Sequence, residues 1–379
     1  MAIKVTSKKT GEVATLDDLA KGSSELAQVL KQIQKSSPTS IGLASQILDL
    51  ERIPTGVFEF DYHTGGGFPC GRYSVVFGKE SSGKTNLIFN AIKSTQLLPP
   101  PCNVAVFVDV EGTFDPTWAA QFGIDLDKLL VIKPTHGEEA VDIIQALVKV
   151  AEVKFIGVDS VAAMISVNED NKSVSTADVG SQSLLVKRLC NKVVLALNNE
   201  AKRNHFPCLV FINQIRYKIG VMFGNPETMP CGETIKFLSS LTVRIDGKDK
   251  MIKEYSSELP VFKEVNARIV KSKIPVMGKT FGYDHTLLAH DLLTVGQSAS
   301  FSTVEKHLKQ HGVLKKSGTG KGWVLDGLHN NVLADFQRKY YEEPEYALKL
   351  QRMVLNLSAK EGFIIDSETS DGEDVEGQL

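Results

Sequence analysis

The sequence predicts an α/β fold: a twisted, mostly parallel sheet flanked by helices, with a small N-terminal helical segment before it and a small C-terminal α/β lobe after it. Three observations lead there. Short apolar runs alternate with longer stretches of helical periodicity, the pattern of a parallel sheet covered on both faces. One run passes through a glycine-rich turn straight into a helical stretch, and beyond about residue 285 the alternation gives way to helical segments around a Gly/Lys-rich stretch.

In chain order, residues 15–35 place Leu16, Leu19, Leu26, Val29, Leu30 and Ile33 at near-helical spacing, and the Gly-Ser interruption at 22–24 divides the element in two. SSPTS at 36–40 reads as a linker. Four apolar runs then read as buried strands: RYSVVF at 72–77, NVAVFVDV at 103–110, KFIGVDS at 154–160 and CLVFINQ at 208–214. The helical patterns NLIFNAIKSTQ, EEAVDIIQALVKVAE and SLLVKRLCNKVVLALNNEAKR lie between and around them. Ligands of open sheets bind beyond the carboxyl ends of the strands, which turns attention to Gly78, Glu111, Asp159 and Gln214. LTVRID at 241–246 and EVNARIVKSK at 264–273 extend the sheet, partly antiparallel because no helix separates them. HTLLAHDLLTVGQ at 285–297, STVEKHLKQHGVL at 302–314 and residues 332–357 read as helices around KKSGTGKGW. The expected organisation is an N-terminal helix and linker over 1–50, a core over 51–284, a lobe over 285–365 and an acidic tail over 366–379.

A hydrophobic content of 42% with 23% charged residues is that of a soluble globular protein. No apolar run approaches the roughly 20 residues that span a bilayer, and the first residues contain no signal-like stretch, so the expected location is the cytoplasm. Cys70, Cys102, Cys190, Cys208 and Cys231 are scattered without a CxxC pair and read as reduced thiols. Six of the 45 acidic residues fall in the last 14, which leaves 39 against 43 Lys and Arg in the rest. A mildly basic body with an acidic tail is compatible with a polyanionic partner.

GKESSGKT, that is Gly78, Lys79, Glu80, Ser81, Ser82, Gly83, Lys84 and Thr85, satisfies G-x-x-x-x-G-K-[ST] between a strand and a helix. Small residues let successive backbone N–H groups close on phosphate oxygens, and the helix N-terminus adds its positive partial charge. Lys84 is expected on the β- and γ-phosphates of ATP, Thr85 on Mg²⁺, and Asp159 on the water shell of the ion. Glu111, just past its strand, can polarise an attacking water, which favours hydrolysis over binding alone.

FINQIRYKIGVMFGNPET, Phe211 to Thr228, resembles nearly residue for residue the strand and second DNA-binding loop of the bacterial RecA recombinases. It joins GKESSGKT, FVDVEGTFDPTWAAQFGID, IGVDSVAAM and IVKSKI in that family's order, over about 50–285. The resemblance implies a RecA-like P-loop ATPase core that forms helical homo-oligomeric filaments, with residues 1–50 as a protomer contact. It implies that Gln214 senses the γ-phosphate, that Lys271 and Lys273 reach the nucleotide of the adjacent protomer, and that Asp115 and Trp118 contact the adenine. The usual aromatic at the latter position is Tyr, and either ring can stack on a base.

The loop 215–233 suits DNA on its own composition: Arg216 and Lys218 for phosphates, Gly220, Gly224 and Gly232 for close approach, and Ile219, Val221, Met222 and Phe223 to separate or support bases, with Asn225 beside them. The family's double glycine near its end is here Cys231-Gly232-Glu233. A first DNA loop is expected near 166–180, where the sequence departs from the family, and Arg188 aligns with a family Arg near DNA. Lys306, Lys309, Lys315, Lys316 and Lys321 can form a basic surface for duplex DNA. The implied activity is a DNA-dependent ATPase that polymerises on single-stranded DNA and exchanges strands with a homologous duplex. Mediator and single-strand-binding proteins are the further partners that activity would use. Two other readings are a hexameric helicase motor, which would lack the IRYKIGVMFGNPET loop, and a non-catalytic ATP-gated scaffold, in which Glu111 and the paired lysines would have no role.

Overall fold

Eight strands form one sheet at the centre of the computed structural model, which describes residues 24–36, 50–167, 181–217, 227–251, 260–318, 322–325, 328–330 and 332–359. In chain order they are β1 (Tyr73–Gly78), β2 (Val104–Asp109), β3 (Leu129–Ile132), β4 (Val153–Asp159), β5 (Cys208–Gln214), β6 (Leu241–Lys250), β7 (Phe262–Ser272) and β8 (Thr280–Thr286). Their order across the sheet is β8-β7-β6-β1-β5-β4-β2-β3. From β3 to β6 every neighbour is parallel, whereas β6–β7 and β7–β8 are antiparallel. The fold class read from the sequence is therefore the one observed.

Side chains alternate across a strand, so each central strand feeds two cores. Val76, Phe107, Phe155, Val210, Ile212 and Val243 face the helix Lys84–Gln96, through Leu87, Ile88 and Ile92, on one side. Val75, Val106, Val108, Ile156, Val158, Leu209 and Phe211 face the helices Gly137–Leu147 and Ser181–Ala201 on the other. Burial on both faces explains why these runs are uninterruptedly apolar. A third cluster joins Phe301, Val304, Leu308, Leu314, Leu325, Phe336, Tyr340, Leu350 and Val354 and belongs to the C-terminal lobe, with Phe58 of the helix Phe58–His63 reaching into it. That same helix carries Glu59, a buried carboxylate that accepts hydrogen bonds from Ser298 Oγ at 3.2 Å, Ser300 Oγ at 2.8 Å and Thr303 Oγ1 at 2.8 Å.

Several elements differ from the sequence reading. The N-terminal helix runs Ser24–Ser36, beginning just past Gly22, and the stretch before it lies outside the described residues. The linker from 37 onward and the acidic tail also lie outside them. Residues 285–297 are not a helix. The Leu287 and Leu288 amides both donate to Val261 O, and Thr286 pairs with Gln297 and Gly296 through the backbone, so the donors a helix needs are spent on the sheet. Leu293 packs on Val261 and Phe262 while Val295 enters the main core, and those contacts produced the apolar spacing. The helical pattern over 332–357 is two helices, Leu333–Glu342 and Pro344–Ala359, because proline 344 has no N–H to continue the first. Edge strand β3 was too short, and β8 too polar, to stand out as apolar runs. No helix among the described residues is long and apolar enough to cross a membrane.

Candidate functional site

The carboxyl ends of β1, β2, β4 and β5 meet at one edge of the sheet, and the glycine-rich turn leaves β1 there. Gly78 has no room for a side chain: a Cβ would lie 2.0 Å from Ile245 O and 2.8 Å from Ser82 Oγ. Gly83, at φ +91, caps the helix Lys84–Gln96 in the left-handed region that glycine occupies at least cost. Between them Lys79, Glu80 and Ser81 are exposed and Ser82 is buried. Lys84 is buried and folds back over the turn, with Nζ 2.6 Å from Lys79 O, 3.3 Å from Gly78 O and 3.5 Å from Ser82 Oγ. Burial lowers its pKa, opposed by Asp159, Glu111 and Glu80. A buried ammonium bound mainly by neutral carbonyls, at a helix N-terminus, is a fitting receptor for phosphate oxygens.

Beside it, Thr85 Oγ1 donates to Asp159 Oδ2 at 2.6 Å. Burial pushes the Asp159 carboxyl up to about 6, the Thr85 hydrogen bond opposes this, and Glu111 and Asp109 add to the rise. A hydroxyl and a desolvated carboxylate with more negative charge close by form a donor set that suits a hard divalent cation such as Mg²⁺. Glu111 stands two residues beyond the end of β2. Its amide donates to Asp159 O at 3.1 Å, and its Oε1 accepts from Ser160 Oγ at 2.5 Å and Gln214 Nε2 at 2.7 Å. Lys84, Thr85, Asp159, Glu111 and Gln214 thus come together from four strand ends.

Asp115 caps the short helix Pro116–Gln121, its Oδ1 accepting from Thr117 N at 2.7 Å and Trp118 N at 3.2 Å. Trp118 is half-buried. Its Nε1 donates to Asn86 Oδ1 at 3.3 Å and its ring meets Phe122 edge-on at 5.2 Å, so it adjoins the helix that follows the glycine-rich turn. Sequence reasoning missed Asp109, which is 1% exposed and accepts from Thr113 N at 3.0 Å and Phe114 N at 3.1 Å. Its carboxylate closes the turn that carries Glu111 at one end and Asp115 at the other. Ser160 and Asn213 were also missed. The Asn213 side chain donates to Pro230 O at 2.8 Å and accepts from Gln214 N at 2.9 Å. The strand-end sequences VDV, VDS and INQ were the available signal for all three.

Lys271 and Lys273 are not brought to this cluster. Lys271 lies opposite Thr242 of β6, itself opposite Val75, so Gly78 is roughly 10 Å farther along the strand direction and two strand spacings away. Both side chains converge on the C-terminal end of the helix Gly232–Leu238: Lys271 Nζ donates to Lys236 O at 2.5 Å and Phe237 O at 2.6 Å, and Lys273 Nζ to Phe237 O at 3.1 Å. Burial first, then Lys273 and Lys236, lower Lys271 to about 8.

Arg188 is exposed on the helix Ser181–Ala201. Beyond Gln214, Arg216–Tyr217 pairs antiparallel with Glu227–Thr228, and Gly232 opens the helix Gly232–Leu238 after Cys231 at φ 53. The loop expected over 215–233 therefore has structured ends. Lys218, Ile219, Gly220, Val221, Met222, Phe223, Gly224 and Asn225 lie outside the described residues, as do 168–180 and Lys321. In the C-terminal lobe Lys309 and Lys316 stand over the Trp323 ring, with Nζ 4.6 Å and 5.6 Å from its centre.

A mostly parallel sheet whose first central strand runs through a glycine-rich turn into a helix, with carboxylates at the neighbouring strand ends, defines a P-loop protein. The profile of the RecA N-terminal domain matches residues 22–285. Proteins named RecA are similar along most of the chain. That of Symbiobacterium thermophilum is 37% identical over 354 residues, 92% of this chain and 96% of that protein. That of Mesoplasma florum is 35% identical over 294 residues, 75% and 84% of the two chains. That of Mannheimia haemolytica is 34% identical over 360 residues, 93% and 91%. The chain belongs to the RecA family.

Proposed function

We propose that this chain is an ATP-dependent homologous recombination and repair protein: it assembles into helical filaments on single-stranded DNA, hydrolyses ATP to ADP and phosphate, and pairs the bound strand with a homologous duplex. The observation that carries the reading is the path of β5. Gln214, at its end, donates to Glu111, and two residues later the chain enters the Arg216–Tyr217 and Glu227–Thr228 ribbon, which flanks the segment that resembles the family's second DNA loop. A side chain placed between the hydrolytic carboxylate and a DNA loop can report the γ-phosphate to one and the DNA to the other.

In this mechanism Lys84 leaves the Gly78 and Lys79 carbonyls for the β- and γ-phosphates, which cost less to contact from an already desolvated position. Thr85 and Asp159 would hold Mg²⁺, which when bound neutralises charge on the phosphates. Glu111 takes a proton from water as the water oxygen bonds to the γ-phosphorus and the bond to the β–γ bridging oxygen breaks, leaving ADP. Asp115 and Trp118 orient the base. Exposed Leu26, Val29 and Ile33 on the helix Ser24–Ser36 support its use as a protomer contact. Phosphate release measured with Mg²⁺ and ATP should rise about tenfold or more when single-stranded DNA is added, by analogy with coupled sites of this kind. A rate indifferent to DNA would refute the reading.

Lys271 gives a pH signature. Its lowered pKa, about 8, means that it is charged below that pH and neutral above it. If it serves a neighbour's nucleotide, kcat/KM for ATP falls as pH rises through about 8, whereas kcat keeps its value to higher pH because bound phosphates favour the charged form. Lys271→Arg should remove the alkaline fall. A fall that persists in the Arg variant assigns the titration elsewhere.

A further inference from the structure

We propose that Lys79 and Glu227 form a second link between the nucleotide site and the ribbon Arg216–Tyr217 and Glu227–Thr228, so that nucleotide binding sets both strands of the ribbon and not only the one that follows Gln214. The inference rests on the nucleotide and DNA roles proposed above and adds a residue pair to them. The first ribbon strand is tied to the glycine-rich turn by the backbone, Ile215 N donating to Gly78 O at 3.1 Å. The second is tied by side chains: Lys79 Nζ lies 3.8 Å from Glu227 Oε1, and Tyr217 Oη donates to that same oxygen at 3.4 Å. The other Glu227 oxygen accepts from Arg244 Nη1 at 2.6 Å. Arg244 is itself fixed on β6 by Asp246, through Nε at 2.8 Å and Nη2 at 3.2 Å. Glu227 is therefore held from the sheet on one side and meets the turn on the other.

The two ties share a feature. They are made by Gly78 and Lys79, the residues whose carbonyls accept from Lys84 Nζ. When Lys84 turns to a phosphate, both residues lose that donor together, and each passes the change to one strand of the ribbon. The Lys79 ammonium is held above its ordinary value by the Tyr217 hydroxyl first and by Glu227 and Asp246 in addition, so the charge that makes the link persists across the neutral range. An exposed pair at this distance contributes little to stability. Its use is directional, since it joins two segments that the nucleotide and the DNA would otherwise reach separately.

The test is a double-mutant cycle on coupling. Binding of a fluorescent oligo-dT is measured for the full chain, Lys79→Met, Glu227→Gln and the double variant, without nucleotide and with a non-hydrolysable ATP analogue at a concentration saturating for each protein. The unsubstituted chain should bind more tightly with the analogue. Each single variant should lose about fivefold or more of that enhancement, and the double should lose no more than the weaker-coupled single. Full enhancement in both singles, or a loss in the double equal to the product of the two, would overturn the link. An unsubstituted chain without enhancement would instead refute the nucleotide-gated DNA reading, and the link with it. Thermal unfolding of each variant is followed in parallel. If Glu227→Gln fails to fold because Arg244 loses its partner, Lys79→Met and Tyr217→Phe, which removes only the shared hydroxyl, decide the question on the same criterion.

Discussion

Glu111→Gln is expected to lose about 100-fold or more of its ATP turnover while still binding ATP with Mg²⁺. The amide keeps the size of the side chain and can still accept from Ser160 Oγ and Gln214 Nε2, which meet Glu111 Oε1 at 2.5 and 2.7 Å. What it lacks is the charge that takes a proton from water. Because those two partners fix the position, the loss should fall on kcat, with KM for ATP little changed. Steady-state phosphate release together with binding of a fluorescent nucleotide separates the two. Turnover within a few fold of the unsubstituted chain would show that Glu111 is not the hydrolytic carboxylate.

The larger effect is expected from the paired lysines. Removing a transition-state cation supplied in trans costs about 10³-fold or more in related phosphoryl transfer, and the same order is expected for the Lys271→Ala, Lys273→Ala double variant. The sheet register keeps both residues from the glycine-rich turn of their own protomer, and their ammonium groups sit together on the Lys236 and Phe237 carbonyls. Turnover should then be recovered in part by mixing this variant with Glu111→Gln on single-stranded DNA. Some junctions in the mixture combine an intact Glu111 with intact lysines from the neighbour. Co-assembly without activity above the sum of the separate variants would exclude the in-trans role.

The main sheet was legible because its central strands are buried on both faces and announce themselves as short apolar runs. Gly78, Asp159 and Gln214 followed, since a parallel sheet gathers its ligands at strand ends. Glu111 could be named for the same reason, although it stands beyond β2 and is placed by its amide bond to Asp159 O. Asp109, Ser160 and Glu227 were not legible as site residues. Their roles arise from pairing between segments distant in sequence: β2 beside β4, and the ribbon beside β6. The stretch 285–297 was misread because tight turns against β7 and β8 happened to space leucines as a helix does. Lys271 and Lys273 stand out only through the family resemblance of IVKSKI. Their spacing, two apart as on one face of a strand, does not by itself indicate a nucleotide, and the sheet register holds them roughly 10 Å along the strand direction and two strand spacings from the glycine-rich turn of their own protomer.

Glu59 bears on how the chain is made. It emerges during synthesis some 240 residues before the three hydroxyls that satisfy it, separated from Ser298 by 239 positions and from Thr303 by 244. Until those residues arrive, the carboxylate lacks both its hydroxyl partners and the segment that covers it, and closing this corner without the hydroxyls would bury a charge unpaired at a cost of several kcal/mol. Residues 298–303 therefore seal a contact that residue 59 began, and the order of translation favours a core that stays open at this corner until the lobe is present.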